Sequence, residues 1–77
     1  MREYTFTVIL EPEPEGGFSV SVPALAGCFS QGETREESLQ NIQEAMMLYI
    51  ETLIEDNSPI PQDLQQMPII EKVKIVA

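Results

Sequence analysis

The groups in this chain that could do chemistry are one thiol and thirteen carboxylates, with no histidine among its 77 residues. A reactive thiolate needs a neighbouring base or a helix N-terminus to lower its pKa. Cys28 has no imidazole available, and it precedes the helix start in "VPALAGCFSQGETREES" instead of sitting on it. Its expected role is that of a small buried or half-buried core residue. One cysteine cannot form an intramolecular disulfide, and without histidine the common zinc sites are excluded, which fits a reducing compartment. The carboxylates raise metal-assisted hydrolysis, which needs several acids converging on two ions about 4 Å apart. Their spacing does not supply this. The first predicted strand is centred on Thr5 and Thr7, and Glu37, Glu44, Glu51 and Glu55 fall on the helix face turned away from the sheet. Glu71 is the one acid facing inward on the last predicted strand. No catalytic residue, cofactor or metal is therefore expected.

The elements that would position these groups are legible in the hydrophobic pattern. "REYTFTVILE" alternates, with Tyr4, Phe6, Val8 and Leu10 on one face, and reads as a half-buried strand. "PEPEGG" breaks it, and "GFSVSVP" alternates again, so the two runs predict an antiparallel hairpin with a long acidic loop. A short third strand is predicted over about Cys28–Gln31, bracketed by Gly27 and Gly32. Thr34 and Glu37 form a capping-box signature, with Glu36 and Glu37 in the first turn. Leu39, Ile42, Met46, Tyr49, Ile50 and Leu53 then make one buried stripe on a helix of about 20 residues. Asn57 suits a left-handed C-terminal position, and Pro59 prevents continuation. "IIEKVKIVA" predicts a fourth strand, with Lys72 and Lys74 guarding an edge. The expected fold is α+β, in the order β-β-β-α-β: a single mixed sheet of order 3-2-1-4, with one helix on one face. The last strand returns by a right-handed crossover, parallel to the first.

At this length the chain is one domain, residues 1–77, with a thin core that favours a partner subunit. Its net charge of −9 argues against direct contact with nucleic acid, which requires clustered lysine and arginine. No apolar run approaches the roughly 20 residues of a membrane span, and the first residues lack a signal-peptide core. A cytoplasmic protein, with no membrane or direct nucleic-acid partner, is expected.

The Tyr-led first strand, the stretch "EGGFSVSVPALAGCFSQGETREESLQNIQEAMMLYIE" and the later "PIP" together resemble the HicB family of antitoxins. The matching positions are Gly16, Gly17, Val22, Pro23, Leu25, Gly27, Cys28, Gly32, Thr34, Glu36 and Glu37. The resemblance implies a partial ribonuclease-H-like fold, homo-oligomerisation as a dimer or higher, and neutralisation of a small basic mRNA-cleaving toxin of the HicA type. It implies no enzymatic activity. Many members of that family carry a DNA-binding module after the last strand, and this sequence stops at Ala77, so a short form that does not bind promoter DNA by itself is expected. The alternative is a stand-alone oligomeric domain of the same fold with another binding role.

Glu11, Glu13 and Glu15 on the proline-stiffened hairpin are the candidate toxin contacts. Met47 and Ile54 flank the buried stripe, and Leu48 lies about 180° from Leu39 at the helical repeat. With Val73 and Ile75 of the last strand, they are the candidate oligomer contacts. The missing carboxylate cluster yields a first expectation. The purified chain does not cleave single-stranded RNA or an RNA–DNA hybrid with Mg²⁺ or Mn²⁺, and metal-dependent cleavage that co-purifies through successive columns would refute it.

Overall fold

The computed structural model describes residues 2–77. Three strands precede one helix: β1 (Ile9–Pro12), β2 (Phe18–Ser21), β3 (Phe29–Gly32) and α1 (Arg35–Glu55). The strands form an antiparallel meander of order β1-β2-β3, with Leu10 opposite Val20 and Val20 opposite Ser30. Helix α1 covers one face, lying mainly against β3 and β2. The class is α+β, and the first three strands lie in the expected order.

The hairpin turn is tighter than its composition suggests. Gly16 N–H donates to the Glu13 carbonyl at 3.0 Å, and Glu13 N–H donates to the Gly17 carbonyl at 3.0 Å. Gly16 and Gly17 hold φ of 103° and 79°, which side chains with a Cβ rarely adopt. The corner after β2 is also built from turns. Leu25 N–H bonds to the Val22 carbonyl, Cys28 N–H to the Leu25 carbonyl, and Val22 N–H closes the loop on the Cys28 carbonyl, each at 3.0 Å. This corner supplies Val22, Leu25 and Cys28, half of the buried apolar core; Val20, Ile42 and Ile50 complete it. Leu25, 0% exposed, plugs the centre, and burying such a side chain contributes roughly 1.5–3 kcal/mol.

The helix begins and ends where its sequence signals stand. Thr34 Oγ1 accepts the Glu37 N–H at 3.0 Å. The reciprocal bond of the capping box is displaced by one residue, because the Glu37 carboxylate accepts from Glu33 N–H at 3.3 Å. At the far end Asn57, at φ 55°, reverses the chain. Ser58 N–H bonds to the Leu53 carbonyl and Asn57 N–H to that of Ile54, the paired bonds of a Schellman motif. Of the predicted stripe, Ile42 and Ile50 are buried and Met46, Tyr49 and Leu53 pack half-buried against them. Ser38 was no part of that stripe, yet it is 0% exposed. Its hydroxyl lies 2.8 Å from the Thr34 carbonyl and 3.3 Å from that of Phe18, so it is satisfied where it is buried.

Two expectations are corrected. The first strand is shorter than residues 2–11. The register that sets Ile9 opposite Ser21 would place Val8 opposite Val22, where the chain already turns into the corner. Residues before Ile9 therefore lack a ladder partner, although Phe6, Val8 and Leu10 keep the inward face and pack on the core. The fourth strand is absent: residues 69–77 carry no strand pairing, so the order 3-2-1-4 is realised only in its first three members. The connection after α1 explains this. Thr7 N–H donates to Asp63 Oδ1 at 2.9 Å, and the Thr7 hydroxyl donates to Oδ2 at 2.8 Å. The carboxylate thus occupies an amide that a parallel ladder along β1 would use.

Two predictions follow from these contacts. A Cβ on Gly32 would lie 2.6 Å from the Ser38 backbone nitrogen, whereas one on Gly27 would meet open space. Gly32→Ala should cost about 1–3 kcal/mol by overpacking. Gly27→Ala bears only the strain of its φ of 78°. Equal thermal shifts for the two variants would refute the junction. Asp63 is held below the usual aspartate range first by the Thr7 amide, partial desolvation opposing and the Thr7 hydroxyl assisting. A depressed carboxyl stabilises above its unfolded value, near pH 3.9, and loses that contribution as pH falls through the folded value. The stability gap between wild type and Asp63→Asn should therefore be full above about pH 4 and close below it. A gap independent of pH in urea melts would contradict this.

Candidate functional site

The hairpin tip and the start of α1 bring six of the chain's thirteen acids to one end, with Arg35 among them. Glu11 lies exposed on β1, and Glu13 and Glu15 lie exposed in the turn that the two glycines close. Glu33, Glu36 and Glu37 arrive from the other side, where β3 hands over to the helix. Glu13, Glu33 and Glu37 line one open groove of about 300 Å³, floored by Gly17, Phe18 and Gly32. The glycines decide this geometry, since a Cβ on Gly17 would lie 2.7 Å from the Gly32 carbonyl oxygen. Only without side chains at both positions does the hairpin lie against the helix start. The three hairpin acids predicted from sequence are therefore joined by Glu36 and Glu37, which the capping signal had explained structurally, and by Glu33. The positive end of the helix dipole offsets part of their mutual repulsion. Such a concentration of one sign attracts basic surfaces and repels phosphate.

Cys28 is buried, and burial pushes its thiol pKa up, away from nucleophilic use. Among the described residues no three cysteine or acidic side chains gather closely enough to hold a metal ion. Among the same residues no helix is long and apolar enough to cross a membrane.

The candidate oligomer contacts are all exposed, but they do not form one patch. Leu48 borders a depression of about 410 Å³ beside Cys28, Phe29, Ala45 and Tyr49. Phe29, 71% exposed, was missed by the sequence reading, although its alternation with the buried Cys28 turns it away from the core. Met47 and Ile54 lie on the opposite flank of α1. There a larger groove of about 940 Å³ separates the helix from the first residues of the chain, lined by Tyr4, Phe6, Met46, Met47, Ile50 and Ile54. This groove exists because α1 leans toward β3 and leaves the β1 side half covered. Val73 and Ile75 lie on the unpaired C-terminal segment.

Comparison with known proteins places this sequence in a family. The model of the HicB-like antitoxin of bacterial toxin–antitoxin systems matches residues 6–74. A UPF0150 protein of Synechocystis sp. is 52% identical over 60 residues, covering 78% of this chain and 76% of that protein. A UPF0150 protein of Thermoplasma acidophilum is 50% identical over 58 residues, covering 75% and 84%. Antitoxin HicB 1 of Photorhabdus laumondii is 34% identical over 82 residues, an alignment that takes in 99% of this chain but 53% of that antitoxin. The chain thus spans about half the length of that relative.

Proposed function

The chain belongs to the HicB-like antitoxin family of bacterial toxin–antitoxin systems, and from that premise we propose that it neutralises a small basic ribonuclease toxin of the HicA type. It does so by covering the toxin's RNA-binding and cleaving surface. The observation that carries this reading is the acidic end, where Glu11, Glu13 and Glu15 stand with Glu33, Glu36 and Glu37 around the junction of hairpin and helix. A toxin that binds RNA must present positive charge, and a rigid carboxylate array competes with phosphate for it. The array sits on backbone fixed by two glycines and a helix cap, so little ordering entropy is lost on binding. The action is steric and electrostatic and calls for no chemistry of the chain's own, which agrees with a buried, unactivated Cys28. We place this activity in the cytoplasm, where messenger RNA is translated. The meander with one covering helix is read as the partial ribonuclease-H-like scaffold of the family.

Co-expression with the product of the adjacent gene, followed by size-exclusion chromatography, tests the reading. A stable complex should form and suppress RNA cleavage. Replacing Glu11, Glu13 and Glu15 together by glutamine should weaken binding about tenfold or more, with a reduced dependence on salt. A complex of undiminished affinity in the triple variant would remove the acidic end from the interface, and failure to bind would remove the function.

A further inference from the structure

The segment after Pro68 is anomalous for a folded domain. Ile69, Ile70, Val73, Ile75 and Val76 are 82–92% exposed, five large aliphatic side chains within eight residues. The radius of gyration is 15.1 Å and the longest extent 52 Å, whereas a compact chain of this length has a radius of about 11.5 Å. The segment projects from the body. Its odd positions, Ile69, Val73 and Ile75, are apolar apart from Glu71, and Lys72 and Lys74 alternate with them. That is the pattern of a strand with one buried face.

The body carries the complementary vacancy. The groove between residues 2–6 and the C-terminal half of α1 is largely apolar, with Arg2, Gln43 and Glu51 also in its lining, and the residues before Ile9 carry no strand pairing. Charge complements it as well. The segment holds two of the four basic residues and one acid, while twelve acids and two arginines lie in the rest. The helix end beside the groove carries Glu51, Glu55 and Asp56, with no base in its last turn, and helix C-termini favour cations.

The chain's own tail is badly placed to fill its own groove. Met67 Sδ lies 3.9 Å from Thr7 Oγ1, so the connection has already passed residues 2–6 when the segment begins. Pro68 then holds residue 67 extended. Filling its own groove would require the chain to double back after releasing the Thr7–Asp63 contact.

We propose that the C-terminal segment, residues 69–76, of one copy lies in the groove between residues 2–6 and α1 of a second copy, and reciprocally, so that the chain is a strand-exchanged dimer. Each copy carries both the donated strand and the acceptor groove, which is what a closed two-fold exchange requires. Strand addition gives the unpaired backbone of residues 2–6, which lies before the Thr7 amide held by Asp63, its ladder partners. The odd positions enter the groove against Phe6, Met47 and Ile54, and Lys72 and Lys74 face outward on the side of Glu3. A stable interface buries about 1,200–2,000 Å², and the exchange offers two copies of the exposed segment toward it. The inference is independent of any toxin.

The test uses the full chain. Isotope-labelled and unlabelled copies are mixed unfolded, refolded together and examined by isotope-filtered NMR and by sedimentation near 10 μM, a concentration at which a dimer of about micromolar affinity is populated. The expected result is a mass of two chains, with contacts from Val73 and Ile75 of one copy to Tyr4 and Phe6 of the other. Contacts only within one copy, no contacts from the tail to the groove, or a mass of one chain would each overturn the proposal. Val73→Asp with Ile75→Asp touches nothing in the body and should raise the dimer dissociation constant roughly a hundredfold or more. Ile54→Glu, on the acceptor side, should weaken it in the same direction. A dimer unaffected by both changes would place the interface elsewhere.

Discussion

The backbone of β3 passes so close to the first turn of α1 that no side chain fits between them. A Cβ on Gly32 would lie 2.6 Å from the Ser38 amide nitrogen and 2.9 Å from its hydroxyl oxygen. Behind Gly32 the hairpin closes in equally tightly through Gly17. Ser38 survives burial at this junction because the Thr34 carbonyl accepts its hydroxyl at 2.8 Å, with the Phe18 carbonyl 3.3 Å away. The Asn41 side-chain amide donates to the Gln31 carbonyl at 2.7 Å one turn further along and holds the same alignment. Helix direction, the acidic end and the uncovered β1 flank all depend on this contact. With its N-terminus pressed onto β3 and the hairpin, α1 runs over the β2–β3 side and diverges from β1.

That divergence limits what the core can be. Six apolar side chains are buried, three of them from the corner between β2 and β3. The partly buried ring around them includes Phe6, Val8, Leu10 and Met46, of which Phe6 and Met46 open toward the groove. A domain this small buries little to begin with, and this one leaves part of its best apolar surface facing outward on two flanks of the helix. Corner and groove are two results of one packing choice. The turns that bring Leu25 to the centre also end β2 at Ser21, and a short β2 deprives the residues before Ile9 of a partner.

Local signals were legible because they act within a few residues. Thr34, Glu37, Asn57 and the Gly16–Gly17 turn each place a backbone bond or a positive φ next to themselves, and all stand where the sequence put them. The inward alternation of Phe6, Val8 and Leu10 was equally readable, since the period of a strand does not depend on its partner. What could not be read was pairing. "REYTFTVILE" has the pattern of a ten-residue strand, but only a neighbouring strand of matching length makes it one. "IIEKVKIVA" has the same property at the other end of the chain. Ser38 and Leu25 were missed for another reason: a serine in a cap motif and a leucine between two turns carry no periodicity, and their burial arises from the tertiary junction. Of the site, the three hairpin acids were visible as a run. Their union with Glu33 and Glu37 was hidden, because it follows from two glycines that meet only in three dimensions.

The geometry also separates the two surfaces on which the proposals rest. The acidic end lies at the first turn of α1 and the apolar groove along its C-terminal half. A 21-residue helix is about 30 Å long, so most of that length stands between Glu37 and Ile54. A strand donated into the groove would reach the last turn with its apolar face, its lysines turned outward toward Glu3, and would leave the hairpin acids uncovered. The exchange would even sharpen the contrast. It would cover the apolar flank of the helix's C-terminal half while the N-terminal end stays strongly negative. A basic partner approaching the dimer would then meet two acidic ends, one on each copy, each on a body stiffened by the strand received from the other. Dimerisation and capture of a basic partner draw on different chemistry, apolar at one end and ionic at the other, and neither needs the residues of the other.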